Sequence, residues 1–162
     1  MLHRSTWTPE IALLAAMIHA TRAGRNEGTR EDFLKADLYY RQVLRLLPNH
    51  GVALNNLAWL LAPQKKGEAL VLARKALALE PESPDRLDTL GYALSFAGKT
   101  AEARQAYEKA LVLYDKKRLR LERMGRNLER HAEHVRIKLK RQVEIVKNHR
   151  AQVETRLAQL GD

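Results

Sequence analysis

The segment ERHAEH, residues 129–134, holds the densest grouping of metal-ligating side chains in the chain. His131 and His134 stand three apart, a helical spacing that lets two imidazoles share one ion, with Glu129 and Glu133 alongside. Arg130 and Arg136 load the same turns with positive charge, and the pattern is no known metal signature. Paired surface histidines are therefore the expectation, with no metal and no cofactor. Catalytic groupings are missing elsewhere. The sequence has no GxGxxG, GxxxxGKS/T, GxSxG or HExxH. It has no cysteine, and serine occurs only at Ser5, Ser83 and Ser95. Carboxylates fall singly on polar helix surfaces. These absences argue against an enzyme.

What remains are side chains suited to binding, and a repeat sets their places. RLDTLGYAL (86–94) has apolar residues at Leu87, Leu90 and Leu94, one face of a helix, with Gly91 in the middle of that face. Shifted back 33 residues, the same places hold Leu54, Leu57, Ala58 and Leu61 in ALNNLAWLL. Shifted forward 34, they hold Leu121, Met124, Gly125 and Leu128. The following segments also align: EALVLARKALALEP (68–81) with EARQAYEKALVLYD (102–115), and KADLYYRQVLRLLP (35–48) upstream.

The chain resembles the tetratricopeptide repeat family. Leu87, Leu90, Gly91, Leu94, Ala103, Tyr107 and Ala110 carry the likeness, which covers residues 8–130. Leucine replaces the first aromatic of the pattern, and Asp115 replaces its terminal proline. The resemblance implies an all-α, antiparallel helix-pair solenoid of three repeats with a capping helix. A small residue at 91 would let two helices approach, with Tyr107 filling the gap. That offsets the roughly 1 kcal/mol that a helix-interior glycine costs against alanine.

Caps and breakers place the helices. Thr8-Pro9-Glu10 starts helix one, over 9–24, with Ile11, Leu14, Ala15 and Ile18 as its core face. Thr29 caps helix two (30–47), and this repeat carries about nine extra residues, shared between loop and helices. Asn49 caps helix three (50–62), helix four covers 67–79, Ser83 caps helix five (84–97), and helix six covers 100–114. Residues 118–131 serve as the cap, and Asn127 to Leu160, without Gly or Pro, read as one long helix. The domains expected are thus 8–115 for the repeats and 116–162 for the cap and arm.

Charge divides the chain at the same place. Residues 1–115 carry 15 Lys/Arg and 13 Asp/Glu; residues 116–162 carry 14 and 6, a net of +8. Within the arm, Val135, Leu139, Val143, Val146, Val153, Leu157 and Leu160 form a heptad-like stripe, with Arg150 at the vacant seam place. A helix this polar needs packing. Self-association through 132–162, docking of the arm on the chain's own groove, and binding of nucleic acid or another polyanion all remain open. No aromatic residue after Tyr114 is present to stack on a base. The stretch IALLAAMIHATRAG (11–24) reads as an amphipathic helix rather than a secretion signal, because Pro9 and Glu10 precede it. No apolar run reaches the length of a membrane span. The compartment is open between cytoplasm and a bacterial envelope assembly.

In the family the first helix of each pair lines a concave groove that takes peptides or helices. By position the groove face here is Val52, Asn55, Asn56 and Trp59, then Asp85, Asp88, Thr89, Tyr92 and Ser95. Trp59 and Tyr92 are equivalent positions in adjacent repeats and would form an aromatic ledge. Asn56 matches an asparagine of the family's clamp for acidic chaperone tails, but Asp85 and Thr89 stand where that clamp has cations. The resemblance therefore implies a protein-interaction scaffold for a neutral or basic segment. LNNLAWLLA and DTLGYAL also resemble repeats of bacterial envelope and exopolysaccharide export proteins, which points to a bacterial multiprotein assembly.

Overall fold

The structure is a computed structural model and describes residues 8–24, 29–64, 67–126 and 133–161, with only the backbone at 134 and 136. The described residues form α-helices and one short 3-10 turn, with no strand among them. No described helix is long and apolar enough to cross a membrane. The chain divides into two compact units, Met1–Glu80 and Pro81–Asp162. The boundary expected at 115/116 falls inside a helix.

The first unit holds α1 (Pro9–Ala23), α2 (Arg30–Leu46), α3 (Gly51–Leu61) and α4 (Gly67–Leu79), with the 3-10 turn Ala62–Gln64 after α3. Thr8 caps α1, its Oγ1 accepting from Ile11 N at 3.4 Å. Thr29 caps α2, accepting from Asp32 N at 3.1 Å and donating to Asp32 Oδ2 at 3.0 Å. The cap of α3 is His50, whose Nδ1 accepts from Ala53 N at 3.2 Å, not Asn49 one residue earlier. Helices pair α1 on α2 and α3 on α4, with α2 also against α3. Leu54, Leu57, Ala58 and Leu61 of α3 are all buried, as their stripe predicts. Arg41 forks onto Glu68 at 2.6 and 2.9 Å and so ties α2 to α4.

Helix α1 departs from the expected face. Ala12 and Ala16 are buried, whereas Ile11, Leu14 and Ile18 are 48%, 61% and 50% exposed. The cause lies in the composition of the helix. IALLAAMIHA is apolar nearly all round, so periodicity does not single out a face. The close approach to α2 goes to the smallest side chains available.

The second unit holds α5 (Pro84–Phe96), α6 (Thr100–Arg126) and α7 (Glu133–Gln159). Ser83 occupies the N-cap position of α5 but makes no side-chain capping bond; Pro84 opens the first turn. Gly98, at φ +74°, ends the helix. Lys99 N bonds Leu94 O at 2.9 Å and Gly98 N bonds Ser95 O at 3.1 Å, the paired bonds of a Schellman cap. Gly91 is buried, and a Cβ there would lie 2.5 Å from Tyr107 Cε1. The predicted close approach of α5 and α6 is therefore present.

Two expectations fail beyond Asp115. Helix α6 does not stop at residue 114 but runs unbroken to Arg126. A proline at 115 would have ended it; aspartate does not. The long helix expected over 127–160 is α7 where it is described, over Glu133–Gln159, and 127–132 lie outside the described residues. α7 is a separate helix that returns antiparallel along α6, with Asp115 meeting Arg150 and Glu122 and Leu139 lining the same cleft. Of the cap expected over 118–131, residues 118–126 belong to α6 and 127–131 lie outside the described residues. Val143, Val146 and Val153 of its stripe are buried. Gly125 is no counterpart of Gly91: a Cβ added there meets nothing within 4 Å.

Candidate functional site

Four of the nine expected binding residues lie on α3 in the first unit and five on α5 in the second. Each set is described within its own unit.

On α3, Val52 and Trp59 stand out at 46% and 36% exposure on a helix whose other face is buried. The indole edge of Trp59 reaches to 4.0 Å from the Cβ position of Gly24. Asn55 and Asn56 lie between them. The Asn55 amide donates to Asn56 Oδ1 at 3.3 Å, and the buried Asn55 Oδ1 has no partner among the described residues. Burial, the largest influence, pushes the Tyr40 hydroxyl upward, and a hydrogen bond with Asn56 pulls it part-way back. The face thus combines a flat aromatic, a small apolar group and two amides that both donate and accept.

On α5 the acidic face is already engaged by the chain's own α7. Arg156 is paired with both carboxylate oxygens of Asp88, and its Cζ sits 5.4 Å from the centroid of the Tyr92 ring. Phe96 stacks edge-on against the same ring at 5.0 Å. Asp85 accepts from the Tyr114 hydroxyl at 2.7 Å, with His149 Nδ1 at 3.2 Å and Lys117 Nζ at 3.7 Å. Burial chiefly, then the Asp85 charge, raises the Tyr114 hydroxyl well above its usual range. Burial also pushes the Asp88 carboxyl up, against the pull of Arg156.

Two of the five α5 residues turn their hydroxyls onto the helix's own carbonyls. Thr89 is 3% exposed, and its hydroxyl donates to the Asp85 carbonyl at 3.1 Å. Ser95 Oγ donates to the Tyr92 carbonyl at 2.8 Å. Asp88 and Tyr92 are thus partnered by Arg156 of α7, and Asp85, whose side chain stays 46% exposed, by Tyr114, Lys117 and His149.

The α7 residues that do this carried only a partial signal. Arg150, at the vacant seam place, bonds Asp115 at 3.0 Å and pairs with Glu154. His149 and Arg156 are seven residues apart, two turns on one side of a helix, opposite the two aspartates three apart on α5. That spacing is visible in the sequence, but the antiparallel return of α7 that uses it is not. His131 lies outside the described residues and the His134 side chain is not described, so the paired-histidine reading has no structural counterpart.

Solved structures with the same arrangement include the first TPR domain of human RPAP3, matched over 87% of this chain and 98% of that domain at 20% identity and a TM-score of 0.56. The Sgt2 TPR domain of Aspergillus fumigatus matches 87% of this chain and 83% of its own, at 21% identity and a TM-score of 0.53. A mutant O-GlcNAc transferase of Thermobaculum terrenum matches 67% of this chain at 27% identity and a TM-score of 0.55. The chain has a tetratricopeptide repeat fold. It spans 20% of the transferase's length. No protein-family model matches the sequence, and no curated protein matches it. In TPR terms, α1/α2, α3/α4 and α5/α6 are the helix pairs, and α7 stands beside the last of them as its cap.

Proposed function

We infer that the chain is a non-enzymatic protein–protein interaction module that takes a partner segment on the α3 face formed by Val52, Asn55, Asn56 and Trp59. The observation that carries this reading is the contrast on α3. Leu54, Leu57 and Leu61 are 1% exposed or less, yet Trp59 and Val52 of the same helix stay exposed beside two amides. Exposed tryptophans flanked by hydrogen-bonding groups are the usual anchors of binding surfaces. The TPR fold supports the reading, because such repeats expose their first helices to partners. The partner expected is a neutral or weakly charged segment, since the α3 face carries no ionisable group. A bacterial multiprotein assembly is the proposed setting, on the likeness of the α3 and α5 segments to envelope-export repeats.

A photo-crosslinking side chain at Val52, compared with one at the exposed Val71 of α4, tests this reading. A discrete product from Val52 that is absent from Val71, and lost in Trp59→Ala, is expected. Equal products from both positions would refute the α3 assignment.

A further inference from the structure

The distal part of the α6/α7 hairpin holds a cleft of about 820 Å³, within the size range of ligand sites. Its floor is apolar: Leu121 and Gly125 of α6 face Leu139 and Val143 of α7. Gly125 borders open space, since a Cβ there would meet nothing within 4 Å. Its rim is basic: Arg126, Lys140, Arg141 and Lys147. The two rim carboxylates are already engaged, Glu122 by Arg118 at 3.1 Å and Glu144 by Lys147 at 2.7 Å.

Charge points the same way on a larger scale. Residues 116–147 carry twelve Lys/Arg against four Asp/Glu, a net of +8. Residues 148–162 carry two of each, so the whole excess of the tail lies within 116–147 of the sequence.

We propose that this cleft is a second docking surface, and that its occupant is an acidic amphipathic helix of a partner protein. A groove between two helices accepts a third by laying apolar side chains along its floor. Carboxylates at the edges of that helix would meet Arg126, Lys140 and Arg141. A nucleic acid would satisfy the rim but leave the leucine and valine floor unused, and no aromatic residue in the hairpin beyond Tyr114 is present to stack on a base. The surface is basic whereas the α3 face carries no ionisable group, so the two would take different partners.

The test uses the full chain and three labelled probes: a short synthetic helix with glutamates on one face and leucines on the other, a scrambled peptide of the same composition, and a DNA duplex. Binding is read by fluorescence anisotropy over a salt series. The helix should bind about tenfold or more tighter than the scrambled peptide, with affinity falling as salt rises. Gly125→Leu fills the cleft without removing charge, and should cost about tenfold for the helix while leaving duplex binding unchanged. The double change K140E and R141E should weaken helix binding by a similar factor. Thermal melts check that each variant folds. Equal binding of helix, scrambled peptide and duplex, or no effect of Gly125→Leu, would reduce the surface to unspecific charge and overturn the proposal.

Discussion

Gly91 and Tyr107 meet with no room between them: a methyl group at residue 91 would lie 2.5 Å from Tyr107 Cε1 and 2.6 Å from Cδ1. The Tyr107 ring is 1% exposed and cannot swing clear. Gly91→Ala gains about 1 kcal/mol of helix propensity but must displace a packed ring, which costs about 1–3 kcal/mol. The melting temperature should therefore fall. Adding Tyr107→Leu should recover part of the loss, and a double-mutant cycle in thermal unfolding measures that coupling.

Gly125 should behave in the opposite way. It occupies the same place in the sequence repeat, yet open space surrounds it. Gly125→Ala should be neutral or stabilising by about 0.5 kcal/mol, limited by its position in the last turn of α6. Denaturant unfolding of the two alanine variants side by side reads the difference in sign.

Arg156→Ala should be among the costlier changes in the second unit. It removes a guanidinium that pairs with Asp88 and covers Tyr92, leaving a carboxylate whose side chain is only 16% exposed. A loss of about 2 kcal/mol is expected, and Arg156→Lys should recover only part of it, because an ammonium cannot both fork onto the carboxylate and lie flat on the ring. Chemical denaturation provides the comparison.

Asp115→Pro should break α6 near its middle. Proline in a helix interior costs about 3 kcal/mol or more, and here it also removes the acceptor of Arg150. Helical circular dichroism should drop. Asp115→Asn, which keeps the helix, should leave the helical signal near wild type.

Two carboxylates should titrate in opposite directions. A hydrogen bond from His19 at 2.8 Å, with further help from Thr29, holds the Asp32 carboxyl below its usual range. Its folded value lies under its unfolded one, so its contribution is present above the ordinary carboxylate range and is lost as pH falls through the folded value. Burial lifts Asp88 the other way. Its contribution is greatest below the ordinary range and is lost as pH rises through the raised folded value. Carboxyl-carbon NMR titration should find Asp88 above, and Asp32 below, an exposed aspartate. The reverse order would contradict the dominance of burial at Asp88 and of the His19 and Thr29 hydrogen bonds at Asp32.

Much of the fold was legible because the repeat advertises itself. The Leu87–Leu90–Leu94 stripe and its copy at Leu54–Leu57–Leu61 placed α3 to α5 within a residue or two, and Gly91 announced Tyr107. Helix α1 was misphased, since an all-round apolar helix has no periodic face. The continuation of α6 was signalled by Asp115 in place of proline, a substitution noted in the sequence without its consequence for helix length. Whether the arm meets the α5 half of the binding face was left open in the sequence for a topological reason. Asp85, Asp88 and Tyr92 do sit on the predicted side of α5, but the antiparallel return of α7 brings Arg156 and His149 onto them, and no local pattern encodes that return.

A partner held on the α3 face, with α7 over the acidic face of α5, must depend on Trp59. Calorimetric titration of the partner captured through Val52 into wild type and Trp59→Ala tests it most directly. Trp59→Ala should lose about tenfold or more in affinity, about 1.4 kcal/mol, with its melting temperature close to wild type. Affinity equal to wild type in a folded Trp59→Ala would contradict it.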